Sequence, residues 1–211
     1  MKGTLLVKNV KHLVTCDADD RLLEGVNVLI KNGVIAEVGS NEQTADDVID
    51  ASNMVMYPGL INTHHHLYQT FSRNLPQVQR MELFPWLKTL YEIWKHVDEN
   101  VVYYSSLTGL GELLKTGCTT CLDHHYVFPK HAGTGLLDAQ FSAAEALGIR
   151  FHATRGSMDL SVKDGGLPPD SVVQTVDEIL KDSEAAVKKN SMMAAHIPCA
   201  RWHWLPVPPS V

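Results

Sequence analysis

The sequence lacks a strong charge of either sign, a long apolar run and a cysteine framework. A formal net charge of −6 over 211 residues argues against a general nucleic-acid or membrane-surface binder. No apolar stretch is long enough to span a bilayer. Met1-Lys2-Gly3-Thr4 leads directly into a strand pattern, without the apolar region of a signal peptide. The four cysteines, Cys16, Cys118, Cys121 and Cys199, make no disulfide framework, so the expected setting is reduced and cytoplasmic. Cys118 and Cys121 form an isolated C-x-x-C. With no second pair to complete a zinc site, they read as core cysteines, a redox pair being the alternative.

Histidine, by contrast, is plentiful, with eleven residues. Three of them end the run Pro58-Gly59-Leu60-Ile61-Asn62-Thr63-His64-His65-His66. This stretch reads as a buried strand, on which successive side chains alternate in direction. His64 and His66 would then share a face, with His65 on the other. Two neutral imidazoles so placed can hold one metal ion. The competing reading is a His-rich loop or a set of core histidines bonded to backbone.

The chain before this run reads as all-β. Val26–Lys31 and Val34–Val38 flank Asn32-Gly33, a hairpin signal because both turn positions need positive φ. After His66, helices and strands alternate: a helix from Pro85 to Val97, and a second N-capped by Asp98 and stopped at Gly117. A strand follows from Cys118 to Asp123, then a helix over 135–147, a strand over 149–154 and a helix capped by Ser171. That order implies a parallel sheet with crossover helices, whose chemistry gathers where strands end. His64, His66, Asp123, His124, His125, Thr154 and Arg155 are expected at one such mouth. Arg155 has the competing reading of a surface charge beside Asp159.

With these residues in place, the chain resembles the amidohydrolase superfamily, whose pattern is P-G-x-[IV]-[DN]-x-H-x-H. Within it, Leu83-Phe84-Pro85-Trp86-Leu87, Asp123-His124-His125-Tyr126-Val127-Phe128-Pro129 and Thr154-Arg155-Gly156-Ser157-Met158 are similar to the branch of 8-oxoguanine deaminases and s-triazine hydrolases. The resemblance implies an α/β fold: a partial TIM-type (β/α)8 barrel preceded by an N-terminal β-sandwich segment. It divides the chain into residues 1–57 of a composite sandwich, 58–190 of a barrel, and an atypical tail at 191–211. It also implies a divalent metal, zinc, held by His64 and His66, which activates a water to displace ammonia from a ring carbon. Gln69, Trp86 and Arg155 carry over as substrate-pocket positions. The implied partner is a small heterocycle, not a nucleic acid or membrane, and the full-length form is expected to be able to form a homo-oligomer.

The chain also departs from the family. A TIM barrel takes about 250 residues, and the family's later His, Glu, His and Asp motifs are not found here. The acid–base residues are therefore expected beyond this chain, and a catalytically inert fragment is the alternative reading. The tail carries proline and tryptophan where a strand is due. The codons of Trp202-His203-Trp204-Leu205, read two bases later, permit Ala-Leu-Ala, as in the family's next strand. This points to a frameshift near residues 192–200.

Overall fold

The computed structural model describes residues 3–194 and 200–203. They divide into two compact units, Met1–Gly59 and Leu60–Val211. The first is built on one sheet. Strands β1 (Thr4–Val14), β2 (Leu22–Lys31), β3 (Val34–Gly39) and β4 (Asp47–Asp50) lie in the order β3-β2-β1-β4. A short strand β5 (Val55–Met56) also pairs with β1. The β2–β3 turn has the expected chemistry: Asn32 and Gly33 adopt φ of 51° and 80°, which suits a two-residue hairpin between the paired Lys31 and Val34. Val10, Leu13, Val28 and Ala51 form this unit's small core.

The second unit alternates strands and helices. Strands β6 (Leu60–Asn62), β7 (Cys118–His125), β8 (Arg150–Arg155) and β9 (Ala200–His203) are all parallel and lie in sequence order. Helices α1 (Leu83–Trp94) and α2 (Glu99–Lys115) fill the first crossover, α3 (Leu136–Leu147) the second and α4 (Val176–Ala194) the third. Asp98 caps α2 by accepting a bond from Val101 N at 2.8 Å. Gly148 ends α3 in the left-handed region at φ 70°. The tail expected to be frameshifted falls largely outside the described residues; within it, Ala200–His203 pairs with Phe151–Thr154.

Alternation on the parallel strands sorts the core. Cys121, Phe151 and Ala153 are buried in one apolar cluster with Leu67, Tyr68, Trp94, Leu110 and Leu136. Trp94 stands edge-on to Tyr68, Trp86 and Tyr91 at centroid distances of 5.3, 5.5 and 5.6 Å, and its indole N–H donates to Ser72 Oγ at 3.0 Å. Gly109 lets α2 approach the segment after the histidines: a Cβ there would meet Leu67 Cδ2 at 2.8 Å. Cys118 and Cys121 are buried free thiols on one strand. Three positions apart, they point to opposite faces, which favours core cysteines over a redox pair.

Two expectations need correction. The strand carrying the histidines ends at Asn62 rather than His66. Asn62 Oδ1 accepts a bond from His64 N at 3.0 Å, an Asx turn that competes with the ladder. The last helix begins at Val176, not beside Ser171. Its cap is Thr175, in a reciprocal capping box: Thr175 N donates to Glu178 Oε2 at 2.7 Å and Glu178 N to Thr175 Oγ1 at 3.3 Å. Ser171 instead offers its carbonyl to Lys130 N. Thr175→Ala is therefore expected to lower stability by about 1 kcal/mol, and Ser171→Ala by much less. Thermal melts of both variants check this.

Candidate metal centre

Beyond the Asx turn, His64, His65 and His66 run alongside the end of β7 without joining its ladder. His124 N donates to the His65 carbonyl at 2.8 Å. The His66 ring reaches the His124 carbonyl, with Nδ1 2.8 Å from that oxygen. A carbonyl can only accept, so Nδ1 carries the proton and Nε2 keeps its lone pair. Next along the chain, Leu67 N donates to Asp123 Oδ1 at 2.6 Å.

The rings of His64 and His66 have centroids 5.1 Å apart and lie nearly perpendicular, at 82°. Two imidazoles sharing one tetrahedral ion at about 2.1 Å per bond hold their centroids roughly 5 Å apart. The pair therefore fits a divalent ion, and the His66 tautomer has the free nitrogen a ligand needs. Among the described residues, no group of three His, Cys, Asp or Glu side chains could hold an ion. Burial is the main cause that holds the His66 imidazole below its ordinary pKa, which keeps it neutral and able to ligate.

His124 and Tyr126 complete a small aromatic cluster. The His124 ring lies 5.5 Å from His66, and Tyr126 lies 5.3 Å from each of them. Burial, then the neighbouring His66 and His64, push the His124 pKa down to about 4. Gly156 leaves room for this packing: a Cβ there would fall 2.6 Å from Tyr126 Cβ and 2.8 Å from His124 Nε2. The Gln69 amide donates to the hydroxyls of Tyr68 and Tyr126, both at 3.1 Å. Gln69 and Trp86 also line one open cleft of about 900 Å³, together with Thr70, Arg73 and Glu112.

The expected single mouth is thus only partly assembled. His64, His66 and His124 come together. Asp123, His125 and Arg155 turn instead toward the helices, because they occupy the opposite pleat of their strands. His125 is fully buried between Tyr68 and Phe128, with Nε2 2.9 Å from the Val127 carbonyl. Arg155 is not a surface charge, since its side chain is 0% exposed. Its Nε and Nη2 bond Asp182 Oδ2 at 3.1 and 3.0 Å, Nη1 bonds the Gly156 carbonyl at 2.7 Å, and Nη2 also bonds Gln174 Oε1. Its guanidinium carbon lies 4.1 Å from the Phe128 ring centre. Sequence reasoning missed Tyr68 and Tyr126 as partners of Gln69; Tyr126, one residue beyond the strand-end histidines, was the available signal.

The amidohydrolase family model matches residues 55–200, including the H-x-H segment and the strands that support it. The chain belongs to the amidohydrolase family. Hydroxydechloroatrazine ethylaminohydrolase of Pseudomonas sp. (strain ADP) is 36% identical to this amidohydrolase over 199 residues, covering 88% of the chain and 41% of that protein. The 8-oxoguanine deaminase of Pseudomonas aeruginosa is 44% identical over 166 residues, covering 77% and 37%. The crystal structure of atrazine chlorohydrolase TrzN from Arthrobacter aurescens TC1 complexed with zinc superposes with a TM-score of 0.87 at 31% identity, covering 98% of this chain and 48% of that one. This amidohydrolase chain therefore spans less than half the length of each of these relatives.

Proposed function

We propose that a protein carrying this chain at its relatives' full length is a zinc-dependent aminohydrolase, which hydrolytically deaminates a purine-like ring, 8-oxoguanine or guanine. The observation that carries this reading is the His64–His66 pair, with its perpendicular rings and free His66 Nε2. In the same reading residues 58–190 form the first half of a (β/α)8 barrel, with β6 to β8 as its first strands. Residues 1–57 contribute to a composite sandwich. Free, buried thiols accord with a cytoplasmic setting.

In that reading His64 and His66 hold the ion, which when bound supplies Lewis-acid activation of water. Gln69, oriented by the hydroxyls of Tyr68 and Tyr126, presents its amide oxygen to N–H donors on the ring. Trp86 offers an aromatic face at the cleft. The substrate role that the resemblance gives Arg155 has no support in its surroundings, since its side chain is 0% exposed and bonded to Asp182, Gln174 and Gly156; it braces the end of β8 from the helix side instead. An s-triazine substrate is the second reading, favoured by the relative whose match covers 88% of this chain. A third reading makes the 211-residue chain inert alone, since the described residues supply only a ligand pair.

Ammonia release from 8-oxoguanine, guanine and aminotriazines separates these readings. A full-length protein is expected to turn over at least one purine-like ring, and His66→Ala to lower its kcat/KM by at least about 1,000-fold through loss of the ion. Turnover of triazines alone would overturn the purine reading. Metal-dependent turnover by the isolated 211 residues would overturn the inert reading. Full turnover by His66→Ala would overturn the metal assignment.

A further inference from the structure

Three bonds tether the H-x-H segment to the end of β7 where the β6 ladder has already stopped. Two are fixed by the backbone and by the His66 ring itself: His124 N to the His65 carbonyl and His66 Nδ1 to the His124 carbonyl, both 2.8 Å. The third depends on a side chain. Asp123 Oδ1 takes the Leu67 amide at 2.6 Å, across 56 positions of sequence. Its second oxygen accepts from the Gln140 amide of α3 at 2.6 Å. Asp123, Leu67 and Gln140 are all 0% exposed, and α2 presses on the same turn at Gly109. A carboxylate so buried, bonded to two donors and turned away from the metal pair, has no route to substrate. Its position, one bond from the residue after His66, gives it another function.

We propose that Asp123 is the positioning residue of the metal centre: it replaces the missing ladder bond after His66 and so fixes the angle at which His64 and His66 face their ion, with Gln140 holding the carboxylate in register. This rests on the metal reading for its purpose, but not for its test. Partners that orient a ligand from behind typically change metal affinity by about 10–100-fold when removed. The side chain also accounts for an acid at a position whose neighbours on that pleat, Cys121 and His125, are packed into the core. An apolar residue there would leave the Leu67 N–H and the Gln140 amide buried without acceptors.

The test uses the whole chain and two readouts. Hydrogen exchange resolved to the Leu67 amide by mass spectrometry reports the clamp without metal. Cobalt(II) affinity, followed by absorption, reports the consequence. In the unaltered chain the Leu67 amide is expected to be protected, although it lies outside any sheet ladder. Asp123→Asn keeps an acceptor and should preserve that protection and the cobalt affinity. Asp123→Leu should speed Leu67 exchange at least about tenfold and weaken cobalt binding about tenfold or more. Ile179→Ala, a core truncation on α4, should lower stability and leave both readouts unchanged. Equal Leu67 exchange in the unaltered chain and Asp123→Leu overturns the clamp, as does loss of cobalt affinity in Ile179→Ala to the same degree. If Asp123→Leu does not fold, free exchange of Leu67 in the unaltered chain overturns it, and protection retained in Asp123→Asn supports it. Cobalt binding that survives His64→Ala overturns the metal reading instead, with the Leu67 amide deciding the clamp separately.

Discussion

Asp182→Ala is expected to destabilise the second unit by about 3–5 kcal/mol, the cost of stranding a buried charge. Arg155 is 0% exposed at its side chain and Asp182 only 12%, so water cannot replace the missing carboxylate. The bonds from Arg155 to Gln174 and to the Gly156 carbonyl would remain, but both acceptors are neutral. The Phe128 ring at 4.1 Å adds a weaker attraction of about 0.5–2 kcal/mol. The double substitution Arg155→Met with Asp182→Leu removes both charges and should recover most of the loss, as apolar replacements of buried pairs commonly do. Urea unfolding followed by tryptophan fluorescence reads this unit selectively, because Trp86, Trp94, Trp202 and Trp204 all follow residue 59. A change under 1 kcal/mol for Asp182→Ala would show that the pair behaves as a surface one.

The sequence made some of this legible and hid the rest for physical reasons. The Asn32-Gly33 hairpin, the Asp98 cap and the end of the third helix at residue 147 are local features, written within a few residues, and each appears where expected. The His64–His66 pair was legible because a spacing of two is a local property. The strand supposed to carry it was too long, because Asn62 diverts the backbone with its own side chain. The start of α4 was misplaced because Ser171 and Thr175 both look like caps, and only Thr175 has a Glu three positions on. The partners of Arg155 and Asp123 were not legible. Asp182 lies 27 positions from Arg155, and Leu67 lies 56 from Asp123. Such bonds exist only after strands and helices have packed. Strand alternation could have warned that Asp123 and His125 point opposite to His124, since that needs only the pleat.

The pH dependence of stability should carry the signature of Asp123. Burial raises its pKa from 3.8 to about 7, against the opposing bonds from Leu67 N and Gln140. A carboxyl with a raised folded pKa binds its proton more tightly in the folded state. Its contribution to stability is therefore fully present below the unfolded value and is lost as pH rises through about 7. A shift of this size corresponds to about 4 kcal/mol across the window. The buried His125 works in the opposite sense. Burial lowers its pKa to about 3, so its contribution is present above the ordinary histidine value and is lost as pH falls. The overall curve mixes both, and the comparison that isolates Asp123 is the difference between the unaltered chain and Asp123→Asn. Asn does not ionise and can still accept from Leu67 N. It can also donate to Gln140 Oε1, which has no partner among the described residues, once that amide turns over. The difference should shift in favour of Asn by about 4 kcal/mol between pH 4 and pH 8, with nearly all the change between pH 4 and 7. Chemical unfolding of both proteins at intervals across that range measures it. A flat difference would overturn the raised pKa, because the bonds from Leu67 N and Gln140 would then offset the burial of Asp123 in full.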